Sequence, residues 1–301
     1  MGSAFAPAVI TNFFSIAYSR GSARGATGGG YVLSKGAFTA VSAQPGAGPG
    51  ELATSVNGDP RYSARTTRRA LALLADRLRL RFASMSVDQR VDVPIGSGFG
   101  ASAASATSAV YAAAAALGAR APRADLARCA YDAEIIEQTG LGTVSVTYRG
   151  TGAGAITEAG SPGVARFVTV GAPRGTRIVA ASLSPYEKKA ALGSPTTAAK
   201  IVKLGDAALE MFMADRTLGG LGAAGEWFSG RLGLASEDVT ALAAAARRAG
   251  AEHASQNMIG HAVHAVCEEG LVPAVVKAFA SSAPRPRVDV FEIGSVRAGP
   301  L

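Results

Sequence analysis

Pro94-Ile95-Gly96-Ser97-Gly98-Phe99-Gly100-Ala101-Ser102-Ala103-Ala104 places three glycines and two hydroxyl side chains between an alternating segment, Arg90-Val91-Asp92-Val93, and an alanine-rich run from Ser102 to Leu117. The alternation is that of a half-buried strand stopped at Pro94, and the alanine run is a strong helix former with few bulky side chains. Glycine accepts positive φ and lets the backbone approach a ligand, while the first N–H groups of a helix have no partner inside it. Strand, glycine turn and helix therefore predict an anion-binding turn. The competing reading is a turn that only lets a small-faced helix pack on a sheet, in a chain with 37 glycines. No Gly-Lys-Ser/Thr follows, which excludes a Walker loop. The glycines stand two apart, which does not match the dinucleotide fingerprint.

Outward from this turn, 301 residues and 30.2 kDa suit one large or two small domains, and 48% hydrophobic residues suffice for a core. Two distant cysteines, Cys129 and Cys267, exclude a disulfide framework and predict a reducing, cytoplasmic setting. The apolar run Ile10 to Ala17 is too short for a bilayer and follows no basic region, so neither export nor a membrane is expected. The net charge of +8 favours an anionic ligand. The densest basic segment, Arg61 to Arg81, interleaves arginines with leucines and has the pattern of an amphipathic helix with a solvated arginine face. Without interleaved aromatics it offers no stacking platform, so nucleic acid is not expected as a partner.

The remaining patterns predict strands over 4–18 and 30–41, joined by the glycine-dense 21–30 as a loop facing a ligand, with turns or a hairpin over 43–60. Helices are expected near 64–83, 102–117, 124–138, 195–214, 235–249, 252–268 and 271–280. Strands are expected at 143–148, 166–170, 177–182 and 288–293. The glycine-rich 150–163 marks a boundary between domains 1–160 and 161–301. His253, His261 and His264 fall on the expected 252–268 helix, where packed or surface histidines outweigh a metal pair because no acidic or cysteine ligand accompanies them. Trp227 and Phe228 line a substrate mouth or anchor a loop, and the anchor is favoured.

Pro94-x-x-x-Gly98-Phe99-Gly100-x-Ser102-Ala103-Ala104 resembles the ATP-binding motif of the GHMP kinases, the superfamily of galactokinase, homoserine kinase and mevalonate kinase. Within it, Ala4 to Phe14, Gly21-Ser22-Ala23-Arg24-Gly25, Leu33-Ser34-Lys35-Gly36, Ala133-Glu134 and Thr139-Gly140-Leu141-Gly142 resemble the archaeal pantoate kinases. Asn257-Met258-Ile259-Gly260 and Phe291-Glu292-Ile293-Gly294-Ser295 fit more loosely. The resemblance implies an α+β, two-domain GHMP-kinase-like fold: an N-terminal ribosomal-S5-domain-2-like α/β domain and a C-terminal ferredoxin-like domain. It implies a cytoplasmic homodimer that uses ATP and Mg²⁺ to convert pantoate to 4-phosphopantoate on the archaeal route to coenzyme A. The alternatives are another acceptor, homoserine or a mevalonate derivative, or a non-catalytic nucleotide- or RNA-binding protein on this scaffold.

By the same resemblance, Pro94, Gly96, Ser97, Gly98, Phe99, Gly100, Ala101 and Ser102 hold ATP, and Ser102 and Glu134 hold Mg²⁺. Thr11, Asn12, Arg24 and Lys35 meet the substrate, with Glu134, Thr143 and Arg24 as catalytic candidates. Arg24 is equally read as a solvent-facing loop charge. Three departures accompany the resemblance. The family's aspartate after Gly-Leu-Gly is Thr143, which cannot serve as a carboxylate base. Either positioning dominates a loose transition state, or Asp132, Glu134 or Glu137 substitutes, or activity is lost. The family's Ala-Pro-Gly-Lys reads Ala6-Pro7-Ala8-Val9, leaving Lys35 or Arg24 to supply the charge, and a glycine-rich third motif is not evident.

Overall fold

The computed structural model describes the chain except residues 20, 21, 48, 49, 184–193, 259, 283–285 and 295, and the side chains of 19, 22 and 23. Of the motifs above, Gly21, Ile259 and Ser295 lie outside the described residues. Strands β1 (Gly2–Ser19) and β2 (Ser22–Gln44) pair antiparallel along nearly their whole length. The register shifts between Pro7 and Val9, Thr11 and Phe13, and Ala17 and Tyr18. Such bulges break strict alternation, so the neighbours Phe13 and Phe14 are both buried. The glycine-dense segment expected as a loop is in fact the start of β2, where Gly30, Gly29 and Gly28 oppose Thr11, Phe13 and Phe14. At Gly28, with φ +142°, a Cβ would overlap the Phe13 carbonyl oxygen, so only glycine lets the strands close there.

Strands β3 (Glu51–Val56), β4 (Ser84–Val91), β5 (Ala153–Glu158), β6 (Arg166–Val170) and β11 (Gly299–Pro300) complete a seven-stranded sheet of order β11-β1-β2-β4-β3, with β5 pairing β2 and β6 pairing β5. β3 pairs parallel with β4, so the segment 43–60 holds a strand as well as turns. Helices α1 (Arg65–Leu78), α2 (Ala101–Ala116) and α3 (Arg123–Glu137) accompany this sheet. α2 packs on β1 and β2, with α1 and α3 against it. Its alanines are buried nearly all round, which brings it so close that a Cβ on Gly2 would overlap the Ala112 carbonyl oxygen. The arginines of α1 tie neighbouring elements together: Arg65 and Arg69 reach Glu137, Arg77 reaches Asp132, and Arg68 donates to Thr54 on β3.

Residues 143–148, expected as a strand, belong to helix α4 (Thr143–Arg149). The β-branched run favours a strand locally, yet the helix closes on Gly150 at φ +66° and buries Val144, Ser145 and Thr147. Thr147 Oγ1 donates to the Pro7 carbonyl at 3.2 Å.

The sheet changes between Val170 and Thr176. Strands β7 (Thr176–Ser182), β8 (His253–Gln256), β9 (Ala262–Glu268) and β10 (Arg287–Glu292) form an antiparallel sheet of order β10-β7-β9-β8. Helices α5 (Pro195–Ala214), α6 (Leu218–Leu232) and α7 (Glu237–Arg248) precede β8, and α8 (Val272–Ser282) precedes β10. This is ferredoxin-like connectivity elaborated by extra helices. Residues 252–268, expected as a helix, form the β8–β9 hairpin, and α6 was not anticipated. α5 and α6 pack against β1, and Phe228 meets Phe14 edge-on with ring centroids 5.8 Å apart. Among the described residues no helix is long and apolar enough to cross a membrane.

Candidate active site

The glycine turn enters α2 through Gly96, Gly98 and Gly100 at φ +82°, +87° and +62°. Left-handed backbone at three alternate positions is what reserves those positions for glycine. Phe99, 1% exposed, anchors the turn from below, and its carbonyl accepts from Val9 N at 3.1 Å. Over the turn opens a cavity of about 930 Å³, whose wall includes Gly96, Gly98, Phe99, Gly100, Ala101 and Ser102. Pro94 and Ser97 are buried behind that wall.

Ser102, in the first turn of α2, donates its hydroxyl to Glu134 Oε1 at 2.7 Å. Glu134 is 2% exposed and also lines the cavity. α3 ends on Gln138 at φ +56°, and Thr139-Gly140-Leu141-Gly142 leads back to α4. A Cβ on Gly140 would stand 2.5 Å from Glu134 Oε2, so this glycine reserves the carboxylate's place. One hydroxyl and one carboxylate are hard oxygen donors. They suit Mg²⁺, which takes one or two protein ligands and fills the rest of its shell with phosphate and water. Among the described residues no cluster of three or more His, Cys, Asp or Glu could hold a metal by itself.

Thr143 opens α4 on the same wall, its methyl 2.8 Å from where a Cβ on Gly100 would lie. Of the acids weighed as substitutes for the family aspartate, Asp132 pairs with Arg77 at 3.1 Å. Glu137 pairs with Arg65 at 2.7 Å and Arg69 at 3.0 Å, hydrogen bonds that hold its carboxyl below the usual range. Neither lines the cavity, and Glu134 is the only carboxylate among the described residues that do.

Thr11 and Arg24 line the cavity, the latter exposed, with its backbone carbonyl accepting from Tyr131 Oη at 2.6 Å. Asn12 does not: it is buried, with Nδ2 donating to Tyr31 Oη at 3.0 Å and to the Leu221 carbonyl at 3.2 Å. Lys35 also lies outside the wall, its Nζ 5.2 Å from the centre of the Phe291 ring. The structure thus brings Thr11, Arg24, Glu134 and Thr143 together with the glycine turn, and leaves Asn12 and Lys35 apart.

Two features of the site were not among the expected site residues, although the first belongs to a stretch that fitted the family pattern loosely. The backbone of Asn257 and of Gly260 touches the turn: a Cβ on Gly98 would meet the Asn257 carbonyl oxygen at 2.5 Å, and one on Gly260 would meet that of Ser97 at 2.6 Å. Met258, at φ +53°, joins the cavity wall. Behind it His264 on β9 donates from Nδ1 to Asn257 Oδ1 at 2.8 Å, and burial pulls its imidazole down to about 3. The second feature is Arg149, which lines the cavity from the end of α4, a position no motif singled out. The histidines are not helical neighbours: His253 and His264 stand on paired strands, and His253 Nδ1 lies 3.3 Å from Glu226. Trp227 and Phe228 do not line the cavity.

The segment that carries this site and the two-sheet architecture both have counterparts among known proteins. Residues 65–151, which hold the glycine turn, Ser102, Glu134 and Thr143, match the sequence model of the GHMP kinase N-terminal domain, and the chain has the GHMP kinase-like α+β fold. A search of curated proteins by sequence found no match. Among solved structures the chain is similar to one described as a phosphotransferase related to the CoA biosynthesis pathway, with a TM-score of 0.86 and 24% identity over 99% of this chain and 97% of that one. It is also similar to homoserine kinase from Cytophaga hutchinsonii, with a TM-score of 0.69 and 17% identity over 100% and 97% of the two chains. Mevalonate kinase from Methanococcus jannaschii gives 0.73 and 13% over 97% and 98%.

Proposed function

We propose that the protein is an ATP-dependent kinase that phosphorylates a primary hydroxyl of a small hydroxy acid, pantoate, giving 4-phosphopantoate. The observation that carries this reading is the Ser102–Glu134 pair beside the glycine turn, inside a cavity that also presents Arg24 and Arg149. The description of the similar phosphotransferase as related to coenzyme A biosynthesis supports pantoate as acceptor.

In this mechanism the free N–H groups at the start of α2 and the glycine backbone bind the nucleotide phosphates. Ser102 and Glu134 are the residues that would hold Mg²⁺, whose contribution when bound is to neutralise phosphate charge. Thr143 Oγ1 accepts a hydrogen bond from the acceptor hydroxyl and aims it. With Glu134 committed to Ser102, no carboxylate among the described residues of the wall is left to act as base. Positioning therefore carries the reaction, which a loose phosphoryl-transfer transition state allows. The two free, buried cysteines fit a cytoplasmic enzyme, and the proposed assembly is a homodimer.

The test is coupled ADP release with pantoate, homoserine, mevalonate and shikimate in parallel. Pantoate is expected to give the highest kcat/KM. Nucleotide binding without turnover on any acceptor would overturn the kinase reading in favour of a non-catalytic binding protein.

A further inference from the structure

Arg24 and Arg149 are the only cations among the described residues that line the cavity, and they are held very differently. Arg24 is exposed, and its guanidinium has no hydrogen-bond or ion-pair partner among the described residues. Arg149 is half-buried, its guanidinium 4.8 Å above the centre of the Phe167 ring and its Nε donating to Thr151 Oγ1 at 3.0 Å. Of the other half-buried arginines, Arg177 is neutralised by Glu269 and Glu292, and Arg68 spends its guanidinium on the Leu52 carbonyl and Thr54, away from the cavity. Arg149 has no carboxylate partner among the described residues.

We propose that Arg149, with Thr151, forms the subsite that takes the acid group of the acceptor, and that Arg149 rather than Arg24 sets the preference for a hydroxy acid. The inference rests on the kinase reading above and deepens it. Stacking on Phe167 and the Nε bond fix the guanidinium plane before ligand arrives, leaving Nη1 and Nη2 as a fork that matches a carboxylate. Thr151 Oγ1 accepts from Nε, so its own proton is free for the same anion. Arg24 would have to be ordered on binding, and Arg149 is ordered already.

The spacing fits as well. Thr143 and Arg149 are the first and last residues of α4, so six residues at about 1.5 Å each separate them by roughly 9 Å along the axis. Helical side chains lean toward the N-terminus, so the Arg149 side chain shortens that span. A short acid with its hydroxyl at Thr143 and its carboxylate at Arg149 would lie along the helix. Gly152, Ala153 and Gly154 on the neighbouring wall leave it room.

The experiment uses the full chain as wild type, Arg149→Lys, Arg149→Gln and Arg24→Gln, with pantoate and its uncharged amide as acceptors. Steady-state kinetics are paired with calorimetry of pantoate and of ATP. Arg149→Gln is expected to raise KM for pantoate roughly 10- to 100-fold, the range for losing a hydrogen bond to a charged group, with KM for ATP unchanged. The wild type should bind the amide as poorly as Arg149→Gln binds the acid, and Arg149→Lys should fall between because it keeps charge without the fork. Arg24→Gln should have the smaller effect. An unchanged pantoate KM in Arg149→Gln, an equal loss for acid and amide, a loss confined to ATP, or a larger effect from Arg24→Gln would each overturn the assignment. If the wild type turns over no acceptor, the kinase reading falls separately, and the subsite is decided by whether Arg149→Gln weakens pantoate binding in the calorimeter.

Discussion

His264 offers a measurement of how tightly the two halves of the molecule close around the glycine turn. The side chain is 2% exposed, its ring centroid 5.5 Å from that of Tyr31 and its Nδ1 bonded to Asn257. Burial lowers its pKa to about 3, with Glu226 opposing and His253 adding to the shift. In the unfolded chain the imidazole titrates near its ordinary value of about 6.5. Between these two values only the unfolded state takes up the proton, so stability falls as pH drops through 6.5 and goes on falling to about 3. At pH 5 the gap is about 1.5 units at about 1.4 kcal/mol per unit, hence about 2 kcal/mol of stability lost relative to neutral pH. Urea unfolding of the wild type and His264→Gln at pH 7 and pH 5, followed by Trp227 fluorescence and circular dichroism, isolates this contribution. The wild type should lose about 2 kcal/mol more than the variant over that interval, whatever the variant costs at pH 7. Parallel losses in the two proteins would refute a buried, neutral imidazole.

At the metal-facing pair, Ser102→Ala and Glu134→Gln should each lower kcat by about 100-fold or more while circular dichroism stays native, and wild-type rates in both would remove them from the chemistry. Gly98→Ala forces a Cβ against the Asn257 carbonyl at φ +87°, so ATP affinity by calorimetry should fall at least tenfold, by order of magnitude, and a wild-type affinity would show that the turn does not bind phosphate. Because positioning rather than a base is assigned to Thr143, Thr143→Ser should keep most of the rate and Thr143→Asp should not raise kcat. A clear gain in Thr143→Asp would restore the missing-base explanation.

The parts of the fold that were legible in sequence are those where one residue type is the only solution. Alternating left-handed residues at Gly96, Gly98 and Gly100 demand glycine, and a helix packed closely on all sides demands alanine. The misread elements are those where tertiary contacts outweigh local preference. Thr143 to Thr147 is β-branched at every position but Ser145, yet glycine ends and burial beside β1 make it helical. β9 is buried on both faces from Ala262 to Cys267, so its period of two left no trace. α6 carries glycines that lower helix propensity. They are needed for close approach, since a Cβ on Gly225 would lie 2.8 Å from Asn12 Cβ. In the site, Ser102 and Glu134 were expected from the resemblance, and the structure brings them together at 2.7 Å. Met258 and Arg149 were not, because their places on the wall depend on how distant elements are brought together.

The contact of Asn257 and Gly260 with Gly98 and Ser97 has a mechanical consequence. Where two backbones touch with no side chain between them, neither can give way by a change of rotamer. Neither the β8–β9 hairpin nor the glycine turn can therefore move toward the other at that point. A nucleotide that settles on the turn, in the cavity that Met258 also lines, stabilises the hairpin together with the turn, and the second sheet shares in the stability that the first gains from its ligand.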